Sequence, residues 1–355
     1  MLHLLALLLL FVAAPATAQI PHLKRDQLIV DGKPFLVLGG ELGNSSASHR
    51  GWLGPHWARL KVMHLNTVLA PVSWELIEPQ EGKFDFATVD WLIEDARAHD
   101  LRLVLLWFGS WKNSMSTYVP AWVKRDEKRF PRTIGADGKA QEILSAFGTP
   151  TRDADARAFA ALMRHLKQVD GDRHTVIMVQ VENEIGFLPT ARERGPVADA
   201  AFAKFKGSEE AFTADAYARF TEAVTRAGKR EYPLPMYVNG AQGRPGKLPG
   251  EYPSGGPLAH LFDVWRKAAP SVDFLAPDIY FPNFAGIVAG YARPGNPLFV
   301  PEANNAGDPR AADRRPRARA LERPGRRRGV AGSRLGAGLL RRQRGGGGGD
   351  EQGDC

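Results

Sequence analysis

Two glutamates stand out because each comes within three positions of the end of an apolar, strand-like run. Glu184 comes after the run 176–181, and Glu302 comes after 298–300. If both runs are strands of one parallel sheet, the two carboxylates lie at the same edge of it. Paired carboxylates about 5–5.5 Å apart serve retaining glycoside hydrolysis, in which one protonates the leaving oxygen and the other attacks the anomeric carbon. The pair therefore indicates acid–base and nucleophilic chemistry at a sugar ring.

The approach to Glu184 is polar at alternate positions, Gln180, Glu182 and Glu184. Alternation along a strand predicts that these three side chains share one face. That face is normally apolar in a helix-covered parallel sheet, whereas a barrel mouth can satisfy polar groups. Alternatives remain open: Glu184 can belong to a structural hydrogen-bond network, as we expect for Glu182, and Glu302 can be a loop charge or a helix N-cap neighbour.

Between residues 27 and 305, short apolar runs alternate with amphipathic stretches. A hairpin is predicted first, with strands at 27–30 and 35–40 around the turn Asp31-Gly32. The further predicted strands are 67–72, 102–107, 175–181, 235–238, 272–276 and 298–300. The predicted helices are 55–63, 87–99, 154–169 and 209–227. This alternation predicts a parallel sheet, either closed as a (β/α)8 barrel or open and doubly wound.

Two features favour the barrel. No predicted strand leads into a glycine-rich phosphate turn of the kind that marks dinucleotide-binding sheets. Nearly every strand instead ends in polar or aromatic residues, which is where barrel enzymes carry their catalytic groups. Seven strands follow one another from Phe35, and the eighth would fall where the composition changes. We therefore expect a (β/α)8 TIM barrel that is truncated before its eighth strand.

The two ends of the chain differ from the middle. Residues 1–18 are mostly apolar and end in Ala16-Thr17-Ala18, which predicts a cleaved secretory signal peptide, with an uncleaved anchor as the alternative. Cleavage implies a periplasmic or secreted protein without a membrane span. Residues 308–355 form an Arg/Gly-rich tail that we expect to be disordered. This tail is interpreted as a frameshift product, with a nucleic-acid-binding arm as the alternative. The barrel domain is then 19–307.

Charge and cysteine content exclude further classes for the barrel domain. The chain has a net charge of +8, and the 13 arginines and five acids beyond position 309 account for all of it. A neutral domain lacks the basic surface that attracts nucleic acid, so no nucleic-acid partner is expected. The single cysteine lies in the tail, at Cys355, so the domain can form no internal disulfide.

Other strand ends offer groups that can bind a sugar. Trp74 and Trp107 could stack on a pyranose ring, and Glu41, Glu75 and Asn239 could bond to hydroxyls or to each other. For any one tryptophan, the alternative is a core or lid residue. The histidines show no metal-ligand spacing, and we predict neither a metal nor a cofactor.

The segment Gln180–Gly186, QVENEIG, resembles the acid/base signature of glycoside hydrolase clan A, most closely that of family 35 β-galactosidases. The similarity extends through DGKPFLVLGGE, LNTVLAPVSWELIEPQEGKFDF and PLFVPEANN, in the family's order. Family 42 is also similar. WFGSWKN and PEANN depart from the commonest family 35 forms and look like a bacterial branch with an extra C-terminal domain.

The resemblance implies roles for individual residues. Glu184 would be the acid/base, Glu302 the nucleophile, Asn183 a contact of the sugar 2-hydroxyl, and Tyr280 the group that orients the nucleophile. It implies an exported, retaining β-glycosidase, most closely a β-galactosidase acting on terminal β-galactose of oligo- or polysaccharides. The alternative is an inactive carbohydrate-binding remnant of such an enzyme, since an incomplete barrel leaves an open sheet edge.

Overall fold

A computed structural model describes residues 19–303 of the chain, so the predicted signal peptide and the Arg/Gly-rich tail lie outside the described residues. The strands are β1 (His22–Lys24), β2 (Gln27–Val30), β3 (Lys33–Pro34), β4 (Gly39–Glu41), β5 (Thr67–Ser73), β6 (Arg102–Lys112), β7 (Arg132–Ile134), β8 (Ala140–Leu144), β9 (Val176–Asn183), β10 (Met236–Ala241) and β11 (Phe274–Asp278). The α-helices are α1 (Arg50–Leu53), α2 (Trp57–Val62), α3 (Trp74–Ile77), α4 (Ala87–Ala98), α5 (Ala121–Arg125), α6 (Thr149–Asp170), α7 (Pro196–Phe202), α8 (Glu209–Glu231), α9 (Phe262–Ala268) and α10 (Phe284–Tyr291). Within 19–303, no helix combines the length and apolarity that crossing a bilayer requires.

Six strands form one parallel sheet in the order β11-β10-β9-β6-β5-β4. The sheet curls into a half-barrel with helices on its outer side, which confirms the predicted barrel class. Each neighbouring pair is parallel, so the carboxyl ends of all six strands meet at one edge. This edge is where the candidate catalytic residues gather.

Two layers of apolar side chains pack against the sheet, one on each face. On β5, Val68 and Ala70 pack with the surrounding helices, whereas Leu69 between them packs on the inner face. The alternation follows from the strand geometry, in which successive side chains point to opposite faces. Because both faces are covered, the strand residues are almost uniformly buried.

The first predicted hairpin forms, but it is shorter than expected. β2 and β3 are joined by Asp31 and Gly32 with φ of 51° and 75°, the left-handed pair that a two-residue turn requires. The strand predicted at 35–40 is divided: β3 ends at Pro34 and β4 begins at Gly39. Between them the side chain of Asn66 bonds to the backbone of residues 36 and 38, which replaces strand pairing there.

The strand predicted at 298–300 is not regular. Only one parallel bridge, between Ile279 and Ala303, continues the sheet at this position. Pro297 and Pro301 flank the segment, and proline has no N–H to donate to a ladder. Beside it, the inner face opens as a groove of about 440 Å³ lined by residues 34–37 and 297–301.

Candidate active site

Glu184 lies directly after β9 with its backbone fixed from two sides. Its N–H donates to Asn239 Oδ1 (3.0 Å), and its carbonyl accepts from the N–H of Ser114 (3.2 Å). Its φ of 45° is in the left-handed region, which a non-glycine residue occupies only where surrounding contacts hold it. The side-chain amide of Asn113 donates to Glu184 Oε2. These bonds aim the Glu184 carboxyl across the carboxyl end of the sheet.

Glu302 is placed by the neighbouring strand β11. Its carbonyl accepts from the N–H of Ile279 (2.8 Å), the residue that follows this strand. The Tyr280 hydroxyl donates to Oε2, while the amides of Asn239 (3.3 Å) and Asn183 (3.4 Å) donate to Oε1. Donors aimed at both oxygens hold the orientation of the Glu302 carboxyl group.

Four carboxyl groups meet at this edge: Glu41, Glu184, Asp278 and Glu302, called here the mouth cluster. One oxygen each from Glu184, Asp278 and Glu302 lie within 4.8 Å of one another. Glu41 closes the group from β4 and contacts Glu302, and Lys112 supplies a nearby positive charge. Glu184 and Asp278 are buried and Glu302 is half-buried, so the electrostatic interactions within the mouth cluster are strong.

Burial and repulsion between the carboxyl groups raise the pKa of three members of the mouth cluster, Glu41, Glu184 and Asp278. Burial, followed by the charge of Glu302, raises the pKa of Glu184 to about 7. The same causes raise the pKa of Glu41 to about 8. A carboxyl group with a pKa near 7 can still donate a proton at neutral pH, which is what a general acid requires.

The mouth cluster is also the place to test for a metal ion. Three carboxyl oxygens within 4.8 Å have a spacing that suits a cation. However, the Asn239 amide already donates to Asp278 and Glu302, and the Tyr280 hydroxyl donates to Glu302. A cation at this place would compete with these donors for the oxygens of Asp278 and Glu302.

A second pair of carboxyl groups lies behind the mouth cluster, between the sheet and α6. Asp155 and Glu182, called here the buried pair, are both fully enclosed and lie against each other. Asp155 accepts from Trp107 Nε1 (2.9 Å) and from the N–H (2.9 Å) and hydroxyl (2.6 Å) of Ser110. Glu182 accepts from the N–H of Trp111 (2.8 Å). Burial raises the pKa of both groups.

The prediction that Gln180, Glu182 and Glu184 share one face is therefore wrong. Glu182 has a φ of 61°, which is not strand geometry, and the alternation breaks at this residue. Its side chain contacts Trp111 and Asp155, whereas Glu184 contacts Asn113 and Asp278. Glu182 is a network residue, as the sequence analysis expected.

Not all predicted sugar-binding residues reach the mouth cluster. Asn183, Asn239, Tyr280 and Glu41 do, through Glu302. Trp74 and Trp107 do not: both rings are 0% exposed, and their N–H groups donate to Glu78 and Asp155. These two tryptophans are core residues, so the prediction that they stack on a sugar is corrected.

Glu75 also stands apart from the mouth cluster. It lies in α3, directly after β5, and pairs with Lys124 at 3.3 Å. Because α3 begins immediately after β5, the Glu75 side chain points to the surface and pairs there with Lys124. The prediction that Glu75 bonds to the sugar is corrected.

Three residues of the site were noted in the sequence only as polar strand ends and were given no role. Lys112 ends the long strand β6, Asn113 follows it, and Asp278 ends β11. All three are polar residues at strand ends, the same signal that identified Glu184 and Glu302. The sequence alone does not show which polar strand ends turn inward.

With this geometry described, the chain can be compared with known proteins. Residues 52–216 match the family 42 glycoside hydrolase model, described as β-galactosidase. The β-galactosidase of Xanthomonas manihotis is 29% identical over 197 residues, which is 50% of this chain and 29% of that protein. The chain is thus similar to β-galactosidases of glycoside hydrolase clan A. The match does not separate family 42 from family 35, which the sequence motifs favoured.

A solved structure has a similar fold. The β-galactosidase from the psychrophilic Marinomonas ef1 superposes with a TM-score of 0.51 at 12% identity. The alignment covers 69% of this chain and 41% of that one. The chain thus spans less than half the length of the relatives it matches.

Proposed function

We propose that the protein is an exported, retaining β-galactosidase that removes terminal β-galactose from oligo- or polysaccharides. The observation that carries this proposal is the approach of Glu184 to Glu302, with carboxyl oxygens within 4.8 Å. Retaining enzymes hold their carboxyl groups about 5–5.5 Å apart, and inverting enzymes about 6.5–9.5 Å apart. The names of the matched relatives favour galactose, and the apolar leader at 1–18 supports export.

In the first step, Glu302 attacks the anomeric carbon while Glu184 protonates the departing glycosidic oxygen. The bond from carbon to the leaving oxygen breaks, and an ester between the sugar and Glu302 forms. Tyr280 and Asn239 hold the Glu302 carboxylate in place for this attack. The raised pKa of Glu184, about 7, keeps its proton available near neutral pH.

In the second step, Glu184 takes a proton from water, and the resulting hydroxide attacks the same carbon. The ester to Glu302 breaks, and galactose leaves with its original anomeric configuration. Glu184 is protonated again, and Glu302 is an ionised carboxylate again. The two different surroundings of these carboxyl groups match the two different roles.

The test is hydrolysis of a chromogenic β-galactoside and the matching β-glucoside by the full chain, with the released anomer followed by proton NMR. We expect the galactoside to be favoured and the β-anomer to appear first. Glu302→Gln should abolish turnover, while Glu94→Gln, an exposed glutamate on α4, should not change it.

Each other outcome contradicts part of the proposal. First appearance of the α-anomer would show inversion, and equal turnover by Glu302→Gln would remove the assigned nucleophile. If calorimetry shows galactose binding without any turnover, the chain is a carbohydrate-binding remnant. Retention of the uncleaved protein in the producing cell would contradict export.

A further inference from the structure

Asp278 is a buried carboxyl group for which the reaction above has no use. It ends β11 and is 0% exposed. Its Oδ2 accepts from Asn239 Nδ2 (2.7 Å), but its Oδ1 receives no hydrogen bond from any residue within 19–303. A buried carboxylate oxygen without a donor lowers the stability of the folded state, because it has lost its hydrogen bonds to water and has formed none in their place.

A carboxyl oxygen of Asp278 lies within 4.8 Å of one of Glu184, and a hydrogen bond between the two side chains would lower the pKa of Glu184. Two ionised carboxylates offer only acceptors and repel each other, so this contact is a hydrogen bond only when one of them carries a proton. During the reaction Glu184 gives up its proton. The contact then persists only if the proton belongs to Asp278.

The charges around Asp278 favour this arrangement. The titratable and charged groups that face it are Glu41, Lys112, Glu184, Tyr237, Tyr280, Tyr291 and Glu302. Among them Lys112 is the one cation, set against three carboxyl groups. Burial, and then the charges of Glu302, Glu184 and Glu41, raise the pKa of Asp278 well above its usual value.

We propose that Asp278 is a positioning residue: it keeps its proton throughout the reaction and donates it as a hydrogen bond to the Glu184 carboxylate. This inference rests on the proposed function, because it assigns Asp278 a role through the acid/base. In this arrangement Asp278 Oδ1, which accepts no hydrogen bond, is the hydroxyl oxygen of a neutral acid and acts as a donor. It also stabilises Glu184 after Glu184 has protonated the leaving group.

The first test is the alkaline limb of the pH profile of kcat, which reports the acid/base in the enzyme–substrate complex. Asp278→Asn keeps a neutral donor toward Glu184, so the limb should stay within about 0.3 pH units while kcat falls less than about tenfold. Leucine is similar in size to aspartate but has no donor. In Asp278→Leu the ionised form of Glu184 loses a hydrogen bond, so the alkaline limb should move to higher pH. If Asp278 were ionised, Asp278→Asn would remove a negative charge, and the limb would move down by about one unit. That result overturns the proposal.

The second test needs no turnover. In protein labelled with 13C at the aspartate carboxyls, NMR at pH 7 should show a protonated aspartate that disappears in Asp278→Asn. Asp155→Asn is the matched control, because Asp155 is the other buried aspartate with a raised pKa. A protonated aspartate must remain in Asp155→Asn, even if Asp278→Asn does not fold, and its absence overturns the proposal.

The two tests separate this inference from the proposed function. Turnover that depends on Glu184, together with an ionised Asp278, contradicts the inference alone. A protonated Asp278 in a protein that cleaves no β-glycoside contradicts the proposed function, and also the role of Asp278 within it.

Discussion

The mouth cluster and the buried pair contain the same kind of group but differ in access and in partners. In the mouth cluster, Glu302 is half-buried and the donors to it include Tyr280, which is 44% exposed. In the buried pair, Asp155 and Glu182 are both 0% exposed and accept bonds from the core tryptophans and from Ser110. Carboxyl groups do chemistry where a substrate can reach them, and stabilise structure where it cannot.

The two regions are joined by one short piece of backbone. Glu182 and Glu184 are separated by a single residue on β9, and each has a positive φ. Near the end of β6, Trp111 donates to Glu182, and Asn113, which follows the strand, donates to Glu184. The buried pair thus fixes the strand ends on which the mouth cluster depends. Substitutions should separate the two roles.

The largest effect is expected on turnover. Glu184→Gln removes the proposed general acid and should lower kcat/KM on a β-galactoside with a poor leaving group by about 10²–10⁴-fold. Glu182→Gln keeps a polar group of the same size and should lower it by less than about tenfold. Steady-state kinetics of the two variants measure the difference. Equal losses would show that the buried pair takes part in the chemistry.

The next effect is on stability. Asp155→Ala leaves Trp107 Nε1 and both donors of Ser110 without an acceptor in the core. Each unsatisfied buried donor costs about 1–3 kcal/mol, so the free energy of unfolding should fall by about 3 kcal/mol or more. Asp153→Ala, an exposed neighbour on α6, should change it by less than about 0.5 kcal/mol. Urea unfolding provides the comparison, and equal effects would contradict the structural role.

A third effect is on the pH dependence of stability. Because folding raises the pKa of Glu182 above its usual 4.5, the folded state keeps a proton that the unfolded chain loses. This contribution is fully present below pH 4.5 and is lost as the pH rises toward the folded-state pKa. The slope is at most about 1.4 kcal/mol per pH unit for one proton. Between pH 5 and 7, the free energy of unfolding of Glu182→Gln should fall less than that of the parent protein. Urea unfolding at each pH measures both, and parallel curves of this free energy against pH would show that Glu182 does not hold the proton.

The smallest effect is expected at Tyr280. Tyr280→Phe removes one of the donors to Glu302 and leaves those from Asn183 and Asn239. Loss of one hydrogen bond of about 1 kcal/mol corresponds to about a fivefold lower kcat, with little change in the free energy of unfolding. A loss as large as that of Glu184→Gln would give Tyr280 a direct part in the reaction.

The parallel sheet could be predicted from the sequence because local patterns carry it. Apolar runs and amphipathic periodicity placed the strands near β5, β6, β9, β10 and β11 and the helices α4, α6 and α8 within a few residues. The regular strand predicted at 298–300 does not form. An apolar run shows neither whether an adjacent strand is available for pairing nor how the flanking prolines, which lack an N–H group, interrupt the ladder. The tryptophans at 74 and 107 were misplaced for a similar reason, since a ring after a strand can turn inward or outward.

The sequence by itself determined which residue types stand at the strand ends, and therefore that Glu184 and Glu302 belong to one site. The tertiary structure decided how these side chains are divided between the two regions. The positive φ of Glu182 breaks the alternation of β9 and turns its carboxyl toward Asp155, on a helix 27 positions earlier in the chain. Asp278 and Asn113 joined Glu184 because β6, β9 and β11 share one edge of the sheet. Such contacts follow from packing between distant segments, which no local pattern records.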